Sequence, residues 1–147
     1  MGREIKLRVW DKEDKKFLEH CFESEEDRFN KGMAMIRWNS EGKIWFTLSG
    51  YRDDDGNPYQ IDAEITEYTG VNDKNGRGVY TGDIVSVWRD GSHRIFTVQW
   101  RAEGVPMYIL YPQPLNEDFW HLRSDMEMSW EVIGNIYDNP ELLQEVD

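Results

Sequence analysis

Apolar and polar positions alternate two by two along most of this chain, which is the period of half-buried β-strands rather than of amphipathic helices. Ile5, Leu7 and Val9 alternate with Lys6 and Arg8, so an opening strand is expected, with Trp10 on its wet face. The mixed-charge run 11–16 then reads as the turn of a hairpin returning through Phe17-Leu18. From His20 to Lys31 no period is clear, and irregular structure with at most one helical turn is expected. Ala34 to Trp38 and Ile44 to Leu48 flank Asn39-Ser40-Glu41-Gly42, a second hairpin with glycine available for a positive-φ position.

The least ambiguous pattern lies between Tyr68 and Trp88. Asn72 to Gly76 carries Asn, Asp and Gly where a reversing chain needs left-handed conformations. Gly78 and Gly82 bracket Val79-Tyr80, and Gly82-Asp83 launches the strand Ile84 to Trp88, the spacing of a corner where a small sheet curls toward a barrel. Asp90-Gly91 predicts the next turn, Ile95 to Trp100 the returning strand, and Met107 to Tyr111 a further one. Leu115 to Trp130 mixes periods and reads as a short helix or loop leading into a strand. Trp130 to Tyr137 is strand-like. It stops at Asp138-Asn139-Pro140, where Asn139 can cap and Pro140 can open a short closing helix to Gln144, docked by Leu142 and Leu143.

The fold class expected is therefore mainly β: a small barrel portion, additional β-hairpins and a short C-terminal helix. A chain of 147 residues suits one unit. Two lobes sharing it also fit, hairpins over about 1–62 and the barrel-like part over about 63–147.

Charge and composition narrow the function. With 17 Lys and Arg against 29 Asp and Glu, the formal net charge is −12, and the basic residues are scattered. That argues against binding a phosphate backbone, which needs clustered cations; the alternative to protein binding is a nucleic-acid-related role, either single-strand binding by base stacking on a small barrel or, as charge would favour, acidic mimicry of DNA. Seven Trp, seven Tyr and six Phe supply too much apolar surface for a disordered chain. One cysteine, Cys21, allows no intrachain disulfide and fits a reducing cytoplasm. No apolar run is long enough for a membrane span, and the N-terminus lacks the apolar stretch of a signal peptide.

No catalytic or metal-binding constellation emerges. Aligning Gly56 or Gly76 on the glycine of a calcium loop leaves Tyr51 or Val71 at the first ligand position and Asp62 or Gly82 at the last, so both loops read as turns. His20, His93 and His121 are far apart in sequence, and adjacent His20 and Cys21 diverge in either regular structure. Neither cofactor nor metal is expected, and the chain is read as non-enzymatic, with a carboxylate- and metal-dependent enzyme as the weaker alternative.

Three blocks carry a resemblance: REIKLRVWDKEDKKF at the start, EYTGVNDKNGRGVYTGDIV in the centre and EVIGNIYDNPELL at the end. In order and spacing they resemble the YopX family of bacteriophage and prophage proteins. Gly2, Val9 and Gly78-Val79 depart from the family's usual words, and residues 20–62 and 101–129 do not match them. The resemblance implies a phage or prophage origin, action in the bacterial host cell, and a mostly β fold with an SH3-like barrel portion. It implies no assigned biochemical role.

Gly70, Asp73, Gly76, Gly82, Asp83, Gly134, Asn139 and Pro140 are the structural signature within those blocks. For function, the expectation is binding of a protein partner, or of a second copy, through aromatic-bearing sheet surface or strand edges, with Tyr68, Tyr80 and Trp88 as candidate contacts.

Overall fold

The computed structural model describes residues 5–23, 31–89, 92–102, 107–111 and 129–145. The chain divides into two compact units: Leu7–Thr66, and Glu67–Asp147 together with Met1–Lys6. Of the described residues before β1, Ile5 and Lys6 group with the later unit.

In the unit Leu7–Thr66, β1 (Leu7–Asp11) pairs antiparallel with β2 (Lys16–Leu18), and β1 lies between β2 and β7 (Ala63–Asn72). Asp11 closes the first turn, its Oδ1 accepting the Glu13 and Asp14 amides at 2.9 and 3.3 Å. Trp10 is buried rather than wet. It stands opposite Phe17 in the hairpin register, the two rings meet edge to face at 4.9 Å, and so its cross-strand neighbour covers a face that alternation alone leaves open.

A second sheet has the order β3-β4-β5-β6, from β3 (His20–Phe22), β4 (Ala34–Trp38), β5 (Ile44–Arg52) and β6 (Pro58–Ile61). The β4–β5 hairpin has the expected connection, with Trp38 opposite Ile44. Residues 20–22, expected to be irregular, instead form β3, which pairs parallel with β4, His20 opposite Ala34. A parallel pairing joins segments without a shared turn, so no local residue pattern announces it. Residues 24–30 of that stretch lie outside the described residues. Val9, Ala34, Ile36, Phe46 and Ile61 form this unit's core, flanked by Leu7, Leu18, Leu48, Ala63 and Ile65.

In the other unit, the later residues of β7 pair with β8 (Gly78–Tyr80), Tyr68 opposite Tyr80. Gly82 then turns the chain at a φ of 88°, and four antiparallel strands follow in the order β11-β10-β9-β12: β9 (Asp83–Arg89), β10 (Ser92–Arg101), β11 (Met107–Tyr111) and β12 (Ser129–Asn135). This sheet curls as a half-barrel. The core of this unit joins Val79 of β8 to Val85, Val87, Phe96, Val98, Leu110, Trp130 and Val132 of this sheet, with Val71 packed against it. The expected turn at Asp90-Gly91 and the segment 112–128 lie outside the described residues.

The closing helix is a 3-10 turn, Pro140–Glu145, not an α-helix. Six residues are too few to repay helix nucleation, and the tighter turn suits so short a piece. Asn139 does not cap it with its side chain, which instead accepts the Asn135 amide at 3.3 Å, while the Asn139 carbonyl accepts the Leu142 amide at 3.1 Å. Leu143 remains exposed rather than docked.

Candidate functional site

The signature residues of the Glu67–Asp147 unit are engaged with backbone. Asp73 Oδ1 accepts the amides of Asn75 and Arg77, both at 2.9 Å, which shapes the loop joining β7 to β8. Its Oδ2 accepts the Val132 amide at 2.9 Å. Since β12 is the outer strand of the half-barrel, that amide points away from β9, and Asp73 satisfies a donor at the sheet's edge. Two further bonds lay the same loop along β12: the Lys74 amide donates to the Trp130 carbonyl at 3.3 Å, and Asn75 Nδ2 donates to Glu131 Oε2 at 3.1 Å.

Asp83, 1% exposed, accepts the Tyr80 amide on Oδ2 at 2.8 Å and so fixes the corner before β9. Gly70 and Gly76 hold φ of 89° and 79°, in the left-handed region that other residues enter at a cost. At Gly134 a Cβ would stand 2.5 Å from Asn139 Oδ1, so β12 needs glycine where Asn139 folds back on it. Pro140 opens the 3-10 turn.

The three candidate contacts separate. Tyr68 and Tyr80 come together, ring centroids 5.6 Å apart. Tyr68 is only 8% exposed, its hydroxyl donates to Asn72 Oδ1 at 2.6 Å, the Lys6 ammonium sits 5.2 Å above its ring, and a Cβ on Gly78 would come within 3.2 Å of it. That ring is a packing element with little face to offer a ligand. Trp88 is 44% exposed near the end of β9, about 16 Å along the strand from the corner at Asp83.

Structure adds a cluster that the local sequence pattern does not mark. Trp100 on β10 stands opposite Tyr108 on β11, and their rings meet at 4.9 Å and 69°. The Tyr108 hydroxyl donates to Glu67 Oε1 at 2.7 Å. Glu67 is held in turn by bonds at both its backbone groups, to the Thr81 hydroxyl and to the Thr81 amide. Residues from β7, β10 and β11 thus converge: the β10–β11 register brings the two rings together, and the hydrogen bond to Glu67 joins them to β7, a strand of another sheet. Tyr111, 53% exposed at the end of β11, is a further large aromatic open on this sheet beside Trp88 and Trp100.

Among the described residues no three His, Cys, Asp or Glu side chains come together as a metal site. The leading aspartate of each loop comparable to a calcium loop is directed at backbone amides: Asp53 Oδ1 accepts from Asp55 and Asn57 as Asp73 Oδ1 does from Asn75 and Arg77. Nor is any helix of the described residues long and apolar enough to cross a membrane.

Comparison with known proteins agrees with this architecture. The crystal structure of protein EF1440 from Enterococcus faecalis superposes with a TM-score of 0.57 at 18% identity, covering 97% of this chain and 99% of that one, which relates the folds. No curated protein matches the sequence. The sequence model of the YopX protein family matches residues 6–144, nearly the whole chain, with the central and final blocks and the first block from Lys6 onward, and the chain belongs to the YopX family.

Proposed function

We propose that this chain is a non-enzymatic accessory protein of a bacteriophage or prophage that acts in the bacterial cytoplasm by binding another protein. The observation that carries the reading is the set of large aromatics left open on the half-barrel: Trp100 at 50%, Trp88 and Tyr111. Strand residues of the same sheet such as Val85, Val87 and Val98 are fully or almost fully buried, so the sheet has a complete core without those rings. Open indoles and phenols on a rigid sheet are the anchors that protein interfaces favour. The charge of −12 disfavours nucleic acid as the partner.

Affinity purification of the tagged chain from infected bacterial lysate tests this reading. One protein is expected in near-stoichiometric yield, and its yield is expected to fall when Trp88 and Trp100 are both changed to Ala. Recovery of no specific protein, or identical recovery by the double variant, contradicts it. Sedimentation of the purified chain covers self-association, which would appear as a concentration-dependent dimer sensitive to the same two changes.

A further inference from the structure

Trp100 and Tyr108 are directly opposed across an antiparallel pair, so their side chains leave the sheet on one side. The indole keeps half its surface open while Tyr108 is pinned to Glu67. Among the described residues, Trp100 has no hydrogen bond and no stacked cation, and no basic side chain pairs with Glu67. Among the described residues the corner therefore presents an open indole and a carboxylate with no basic partner, separated by the width of the phenol ring that touches both.

An indole face attracts a guanidinium or ammonium through its quadrupole, and a carboxylate beside it supplies the counter-charge. A long basic side chain can lay its methylene stem on the ring while its head reaches the carboxylate. We propose that the Trp100–Tyr108–Glu67 corner receives an arginine or lysine side chain from a basic segment of a partner protein. The net charge of −12 draws such a segment in from a distance, and arginine, planar and more weakly hydrated, is the better fit. This inference rests on the protein-binding reading and names the partner's chemistry.

The test is titration of the 15N-labelled chain with a short arginine-rich Gly-Ser peptide, against its citrulline counterpart, which keeps the shape and loses the charge. The arginine peptide is expected to shift the Trp100 indole N–H and the Glu67 amide saturably, and the citrulline peptide neither. Binding is expected to weaken about tenfold in Trp100→Ala and in Trp100→Leu, which keeps apolar bulk without the indole, and about threefold in Glu67→Gln. Dispersed spectra of the variants establish that they fold.

Shifts spread evenly over the acidic surface, equal binding of the citrulline peptide, or unchanged affinity in the Trp100 variants would overturn the assignment. A lysate partner captured as well by Trp100→Ala and Glu67→Gln as by the wild type overturns this corner and leaves the protein-binding reading standing. No lysate partner, with the arginine peptide bound at Trp100, overturns that reading and leaves the corner.

Discussion

Two loops of this protein have the same local design and different work. Asp53-Asp54-Asp55-Gly56-Asn57 and Asp73-Lys74-Asn75-Gly76-Arg77 each close with the amide of the first residue donating to the carbonyl of the fifth, at 2.9 Å in both. Each has the glycine amide donating to the first carbonyl at 3.0 Å, and that glycine at a φ of 83° or 79°. In each the leading aspartate folds Oδ1 onto the amides of the third and fifth residues. Asn39 organises a third loop in the same way, with Gly42 in the glycine's place.

The difference is the second carboxylate oxygen. Asp53 is exposed, whereas Asp73 is 7% exposed and its Oδ2 reaches 59 positions along the chain to the Val132 amide. A local turn device has become a clasp on the edge of the half-barrel. The lesson is that a turn motif predicts the turn, and burial of its side chain decides what else it holds.

The largest effect should come from the clasp. Asp73→Ala frees three amides, one beside the buried core, and is expected to cost about 3 kcal/mol or more, read as a lowered urea midpoint of the Glu67–Asp147 unit. Next comes Gly134→Ala, on the strand that Asp73 holds. Its Cβ would collide with Asn139 Oδ1, displacing the contact to the Asn135 amide, for an expected loss of about 1–3 kcal/mol by thermal unfolding.

Gly56→Ala and Gly76→Ala sharpen the comparison from the other side. Nothing lies within 4 Å of a Cβ at either position, so only the positive φ matters and the two should cost nearly the same, about 1 kcal/mol. Markedly unequal losses would mean that the loops differ in more than the second oxygen. Asp53→Ala, exposed and purely local, should cost about 0.5–1 kcal/mol in the same urea assay.

The smallest effect is electrostatic. Lys12 lies 3.1 Å from Glu64 and 3.6 Å from Asp62, and its pKa is raised above 10.5, first by the hydrogen bond and charge of Glu64 and then by Asp62. A folded-state pKa raised above the unfolded value gives stabilisation that is complete below the unfolded pKa and lost as pH rises through the folded one. Melting curves of the wild type and Lys12→Met should therefore converge as pH climbs above about 10.5. Divergence there would contradict the sign.

How much of this was legible follows from the range of each interaction. Turns governed by Asn39, Asp53 and Asp73 could be read because side chain, glycine and backbone partner lie within five residues. Strands β4, β5, β9, β10 and β11 announced themselves by alternation between such turns. The parallel partner β3, the tie from Asp73 to Val132 and the meeting of Glu67 with Tyr108 were not legible, since each joins segments that share no turn. Trp10 and Tyr68 show the same limit: alternation assigns a side, and cross-strand neighbours decide whether that side is wet. Trp100 and Tyr108 have the pattern of core positions, and only their place near the sheet's end leaves the indole open.

Hydrogen exchange at the Val132 amide tests the central comparison most directly. That amide should be protected in the wild type and in Asp53→Ala, and should exchange faster by about a hundredfold or more in Asp73→Ala while the β9–β10 amides stay slow. Equal protection of Val132 in both variants would contradict the account, because Asp73 would then be a turn residue like Asp53 and nothing more.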